Sequence, residues 1–299
     1  MRLGYACVNT ELPSSGRTVR LANATPERLR EVIAGNLDAL AAILRWNADH
    51  GIRVFRLTSD LIPFGSHPAN GLAWWDEFGD AFAELATLIQ DSGARLSTHP
   101  GQYTVLSSAR REVVAAAVAE LVYHDHMMSA LGLDTSHKIV LHVGSGSGDA
   151  AAAERLCAAA AGLPDGARSR LVLENDERWP LADVLAVAGT IGAPVVFDAF
   201  HHSLAPSFAG EPLRTVVARA GATWSPADGR QEVHFSTQAE GRRPGAHAYS
   251  LDLAAFAEFA GAVGDLPLDC VLEVKDKERS LLRALPVLDA ACEAARDPA

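Results

Sequence analysis

Cysteine is scarce in this chain. The four present, Cys7, Cys157, Cys270 and Cys292, lie far apart with no C-x-x-C spacing. That excludes a disulfide framework or a zinc ribbon and fits a reducing compartment. Long apolar runs are missing too: no stretch of about 18 uninterrupted apolar residues occurs. The opening Met1-Arg2-Leu3-Gly4-Tyr5-Ala6 has no apolar core followed by a cleavage site. Neither membrane insertion nor secretion is expected, and the expected location is the cytoplasm. The first β-rich run is followed by Thr10-Glu11-Leu12-Pro13 rather than a G-x-G-x-x-G fingerprint, so no nucleotide cofactor is expected. Nucleophile motifs are also lacking: there is no G-x-S-x-G and no Cys/His arrangement. Basic charge is in deficit, with a formal net charge of −11. This argues against a protein that coats nucleic acid through general basicity. Three bound divalent cations would roughly halve that charge and leave a locally positive groove.

What is present is a chain of 299 residues, 48% hydrophobic, with ample material for a core. Short β-rich runs alternate with long helical patterns to the end of the chain. The strands expected are Arg2 to Asn9, Ile52 to Ser59, Arg95 to His99, Lys138 to Val143, Arg170 to Asn175, Pro194 to Phe200, Gln231 to Thr237 and Asp269 to Lys275. Helices are expected at Pro26 to Asp49, Trp74 to Asp91, Ala109 to Leu131, the alanine-rich Ala150 to Ala161, Leu181 to Ile191 and Leu253 to Val263. Thr25-Pro26-Glu27 reads as a cap followed by an N1 proline. Gly51, Gly93 and Gly192 close helices just before strands. Eight sequential βα units predict an α/β fold, a single (β/α)8 TIM barrel over residues 1–299.

Barrels carry their chemistry at the C-terminal ends of the strands. Here those positions read Asn9, Asp60, His99, His142, Glu174, Asp198, His234 and Glu273, all polar. Strand parity places His142 with Val140, Glu174 with Val172, Asp198 with Val196, and Glu273 with Val271. Carboxylates in such β-branched strands cost several kcal/mol unless paired or coordinated, and shared cations explain several at once. Imidazole with carboxylate suits Zn2+, Mn2+ or Fe2+, and six or more ligands imply two or three ions with Glu174 able to bridge a pair. His201, at i+3 from Asp198, and His247 enlarge the cluster toward a third ion, while His202 reads as a packing residue. His124 and His126 are i and i+2 on a helix and share no face, so they read as ordinary helix residues. His50 complements a helix C-terminus.

The motifs together resemble the UV damage endonuclease family. They are Gly4-Tyr5-Ala6-Cys7-Val8-Asn9, Ser59-Asp60-Leu61-Ile62-Pro63 with His67-Pro68, His99-Pro100-Gly101-Gln102-Tyr103, His142-Val143-Gly144, Leu173-Glu174-Asn175-Asp176, Asp198 with His201, His234-Phe235-Ser236 and Glu273-Val274-Lys275-Asp276-Lys277. The resemblance runs in order from residue 2 to about 280. It implies a metal-dependent barrel related to apurinic endonucleases and xylose-isomerase-like enzymes, nicking damaged double-stranded DNA immediately 5′ of pyrimidine dimers and similar lesions. By the same resemblance, His99, His142 and Glu174 would hold one ion, Glu174, Asp198, His234 and Glu273 a second, and His201 with His247 a third. Mn2+ is the metal it implies. Tyr5, Asn9, His67 and Lys275 would line the site near the scissile phosphate. One position departs from the pattern: two residues before His234, where the family carries a lysine open to carboxylation, this chain has Glu232. Glutamate brings a carboxylate on a shorter stem, so its reach to the third ion is in question.

The ligand types independently suit hydrolysis of a phosphodiester by metal-activated water. A lesion inside a duplex reaches a barrel mouth only with kinking or flipping, which calls for a wedge. Gln102-Tyr103, in the loop after His99, is placed to probe the lesion. Arg17, Arg20, Arg178, Arg242, Arg243 and Lys277 are candidates for phosphate contacts, and a monomer is expected. Two readings compete: a sugar isomerase or epimerase on the same barrel, and a non-catalytic metal-binding scaffold.

Overall fold

The computed structural model describes residues 1–144, 146, 148–263 and 266–296, without the side chains from 292 onward. Cys292 therefore falls outside the described side chains, while Cys7, Cys157 and Cys270 are free thiols. Eight parallel strands close in sequence order into a barrel. They are β1 (Arg2–Ala6), β2 (Val54–Leu57), β3 (Arg95–Thr98), β4 (Lys138–His142), β5 (Leu171–Glu174), β6 (Val195–Asp198), β7 (Gln231–Phe235) and β8 (Leu268–Leu272). Helices lie between them, so the expected (β/α)8 barrel is the fold observed. Among the described residues no helix is long and apolar enough to cross a membrane.

Several strands are shorter than the sequence pattern suggests. β1 stops at Ala6 and β8 at Leu272, so Asn9 and Glu273 lie in the loops. The Glu273 amide still donates to the Phe235 carbonyl at 2.9 Å, which carries the ladder direction one residue further. Helices Pro26–Asp49, Ala150–Ala161, Leu181–Ile191 and Leu253–Val263 have the expected bounds. The Thr25 hydroxyl caps the first, accepting from the Arg28 amide at 3.3 Å. The expected Trp74 to Asp91 helix is broken at Phe78 into Trp74–Glu77 and Gly79–Ser92. Gly93 and Gly192 end their helices in the left-handed region, at φ +61° and +69°, a conformation without a Cβ penalty.

One parity of each strand faces the barrel axis, and the register links these positions around the sheet: Gly4 with Val54, Val140 with Val172, His142 with Glu174, Asp198 with His234, and Gly4 with Val271. The N-terminal end of the axis is ionic. Arg2 and Arg95 both pair with Asp269, at 2.6 and 3.0 Å, and Lys138 pairs with Asp228 at 2.6 Å. Above it sit the valines, in two small clusters separate from the main core: Val54 and Val271 with Ala6, and Val140, Val172 and Val196. The C-terminal end carries the polar ring. Outward-facing Leu141, Leu173, Phe197 and Leu272 belong to the main core between strands and helices.

Candidate metal centre

Six consecutive strands each deliver one polar side chain to the barrel mouth. His142, Glu174 and Asp198 end β4, β5 and β6, His234 lies on β7, and His99 and Glu273 follow β3 and β8 directly. Glu174 sits at the middle, almost fully buried. Its Oε2 lies 2.8 Å from His99 Nε2 and 3.5 Å from His142 Nε2, while its Oε1 lies 2.5 Å from His234 Nδ1. Two sets of donor atoms gather within 4.8 Å of one another: His99, His142 and Glu174, and Glu174, Asp198 and His234. Glu174 belongs to both and turns a different oxygen to the histidines of each.

Glu273 borders the second set. Its Oε1 is 3.4 Å from His234 Nδ1 and its Oε2 is 3.4 Å from His247 Nδ1, while Arg56 pairs with Oε1. His201 follows Asp198 on a short helix, its amide donating to Asp198 Oδ1 at 2.6 Å. Its ring lies 5.7 Å from that of His247 and 5.8 Å from that of His142. Glu232 lies deeper. It accepts from Ser97 Oγ at 2.8 Å and lies 3.1 Å from His234 Nε2, behind the imidazole rather than beside His201 and His247.

This donor set fits divalent ions. Asp198 Oδ2 is buried with no hydrogen-bond partner among the described residues. A bare carboxylate oxygen so placed is costly unless a cation takes it. The electrostatics agree. Burial pushes the Glu174 carboxyl up, but His234, His142 and His99 outweigh it and hold it well below the usual carboxylate range. Burial acts against a charged His234, yet Glu174 and Glu273 raise it well above a free imidazole. Asp198, with less compensation, is pushed up by burial to about 7. Mixed imidazole and carboxylate donors suit Mn2+, Zn2+ or Fe2+.

The remaining expected residues are placed variously. Tyr5 is fully buried on the outward parity of β1, its hydroxyl donating to Asn47 Oδ1 at 2.7 Å, so it touches the mouth only through Asn9, whose Nδ2 donates to it at 3.2 Å. His67 is exposed, its Nδ1 accepting from the Ala69 amide at 3.0 Å. The Lys275 side chain is exposed, whereas Lys277 folds in among Cys7, Arg56 and Glu273, and burial pushes its ammonium pKa down. Asp60 is exposed in a short 3-10 turn beyond β2. The inward position of β2 belongs to Arg56, which sequence reasoning passed over although its parity with Val54 marks it. Gln102, Arg178, Arg243, His201 and His247 line one cleft of about 510 Å³ beside the cluster. A larger cleft of about 760 Å³ lies at the opposite end of the barrel, around Arg168, Gly192 and Asp228, and holds none of these groups.

Eight parallel strands with a ring of histidines and carboxylates at their C-terminal ends define a TIM barrel whose mouth carries side chains that could hold metal ions. The UV-endonuclease UvdE family profile matches residues 1–294, and the chain belongs to that family. It is a DNA endonuclease of UV-damage repair. The UV DNA damage endonuclease of Clostridium perfringens is 34% identical over 291 residues, covering 95% of this chain and 70% of that protein. The crystal structure of SacUVDE superposes with a TM-score of 0.91 at 35% identity, covering 97% of this chain and 98% of that one. Endonuclease IV from Thermus thermophilus has a TM-score of 0.62 at 17% identity, over 99% of this chain and all of that one, a likeness of fold alone.

Proposed function

We propose that this chain hydrolyses the phosphodiester immediately 5′ of pyrimidine dimers and related UV lesions in double-stranded DNA, acting as a monomer with two to three divalent ions, Mn2+ first among them. The observation that carries the reading is Glu174, which presents Oε2 to His99 and His142 and Oε1 to His234. In this reading His99, His142 and Glu174 hold one ion, Glu174, Asp198, His234 and Glu273 a second, and His201 with His247 a third. Ions bound there supply Lewis acidity toward the phosphate and toward the attacking water.

The chain's own residues do the rest. Glu174 fixes the spacing of the two sets because one rigid carboxylate serves both. Glu232 accepts from His234 Nε2 and so turns Nδ1 toward Glu174 and Glu273. Arg56 holds Glu273 in place. Asn9, His67, Lys275 and Lys277 border the path of the scissile strand, and Gln102 with Tyr103 probe the lesion from the loop after β3. Arg178 and Arg243 in the adjoining cleft take phosphates.

An irradiated, end-labelled duplex incubated with the protein and Mn2+ tests this. The expected result is a single cut 5′ of the lesion, abolished by chelation, restored by Mn2+, and lacking on the unirradiated duplex. Equal cutting of both duplexes, or cutting indifferent to chelator, overturns it.

A further inference from the structure

The third set of donors, His201 with His247, is the one without a carboxylate. Position 232 does not supply it, because Glu232 lies behind His234. Two neutral imidazoles bring no charge to balance a divalent ion, and manganese favours oxygen donors. The loop after β5 brings a carboxylate to the same place. Asn175, fully buried, donates its Nδ2 to the Asp198 carbonyl at 3.0 Å and accepts from the Asp198 amide at 2.9 Å, which locks the start of this loop to the end of β6. Asp176 Oδ1 then accepts from the Arg178 and Trp179 amides at 2.8 and 2.7 Å, folding the chain into a tight turn around Glu177. The main chain of Glu177 is thus held, while its side chain, about half exposed, lines the cleft shared by His201 and His247.

There Glu177 Oε2 lies 2.9 Å from His201 Nδ1. The two atoms are close without being aligned: His201 is 8% exposed, and its Nδ1 has no hydrogen-bond partner among the described residues. A donor and an acceptor paired for their own sake would point at each other. Two ligands of one ion do not. At about 2.1 Å from a metal and about a right angle apart, they stand about 3.0 Å from each other with their lone pairs converging on the ion. The other oxygen of Glu177 faces the loop that carries His247. A Cβ at Gly245, two residues before His247, would meet Glu177 Oε1 at 3.1 Å, and Gly245 itself sits in the left-handed region at φ +82°. One carboxylate therefore stands between His201 and the His247 segment, whose two imidazole rings are 5.7 Å apart.

We propose that Glu177 is a ligand of the third divalent ion, completing with His201 and His247 a site that position 232 leaves without a carboxylate. The inference rests on the reading of His201 and His247 as ligands of that ion. It gives β5 and its loop a part in the whole cluster: Glu174 serves the first two ions, and Glu177, three residues on, serves the third.

The test counts ions rather than cuts. Metal-free protein is titrated with Mn2+ and the bound metal is read by equilibrium dialysis and electron paramagnetic resonance. Wild type is expected to bind three Mn2+ per chain. In Glu177→Gln the third should bind at least about tenfold more weakly, since a lost ligand costs no less than a lost outer partner, while the first two are kept. His201→Ala should lose the same ion, and the Glu177→Gln/His201→Ala double variant no further one. A wild-type crystal soaked in Mn2+ should show an anomalous peak bonded to both Glu177 and His201. If Glu177→Gln does not fold, the soaked wild-type crystal carries the test. Wild-type affinity for three ions in Glu177→Gln, a third peak that touches the histidines but not Glu177, or a wild type that binds only two ions overturns the proposal. A wild type that holds its third ion on Glu177 yet leaves irradiated DNA uncut overturns the functional reading instead.

Discussion

Glu174 is one carboxylate serving two sets of donors, and a neutral amide of the same shape separates its charge from its geometry. Glu174→Gln should weaken Mn2+ binding by about a hundredfold or more and leave no measurable nicking, read by calorimetry and by the plasmid assay. Glu232→Gln keeps a hydrogen-bonding partner for His234 but removes the charge. It should cost about 10- to 100-fold in Mn2+ affinity or activity, seen as a rightward shift of the Mn2+ activation curve. Most of the ring was legible because side-chain parity and residue chemistry agree at His142, Glu174, Asp198 and His234. They diverge at β2, where Asp60 has the chemistry of a ligand but Arg56 has the register. Lys275 and Lys277 share a parity, and only the turn after β8 decides which of them folds inward. His124 shares no face with His126, two residues away, but meets Glu120 at i−4.

At the scale of the strand, β8 does two jobs, because its first inward residue is Asp269 and the residue past its end is Glu273. Asp269 is fully buried and answers both Arg2 and Arg95. Removing it leaves two guanidinium groups without their shared carboxylate, one of them nearly buried. Asp269→Ala should destabilise the fold by about 3–5 kcal/mol, measured as a lowered urea midpoint, while the folded fraction keeps its nicking activity. The eightfold alternation was readable since the hydrophobic period switches cleanly between about 2 and 3.6 residues. Strand ends were not, because closure against two neighbours decides where a ladder stops. β1 ends at Ala6 although apolar Cys7 and Val8 continue the pattern. The break at Phe78 leaves no mark in the apolar pattern for a similar reason: Trp74, Phe78 and Phe82 keep helical spacing across it.

At the scale of the molecule, an acidic body must bring a polyanion to an acidic ring. Basic side chains do stand beside the ring in loops of the mouth, among them Arg178 and Arg243 in the cleft beside His142 and His247. Affinity for irradiated duplex should fall steeply with salt in spite of the net charge of −11. Arg243→Ala should weaken binding across sequences and reduce the slope of log affinity against log salt by about one, measured by fluorescence anisotropy.

The donors enter the mouth in the order in which the chain is made, from His99 to Glu273, and β8 can seat only after it has emerged to meet β1. Completion of the ring and closure of the barrel are therefore a single event: a molecule that has not joined β8 to β1 lacks the last carboxylate that the proposed reading requires.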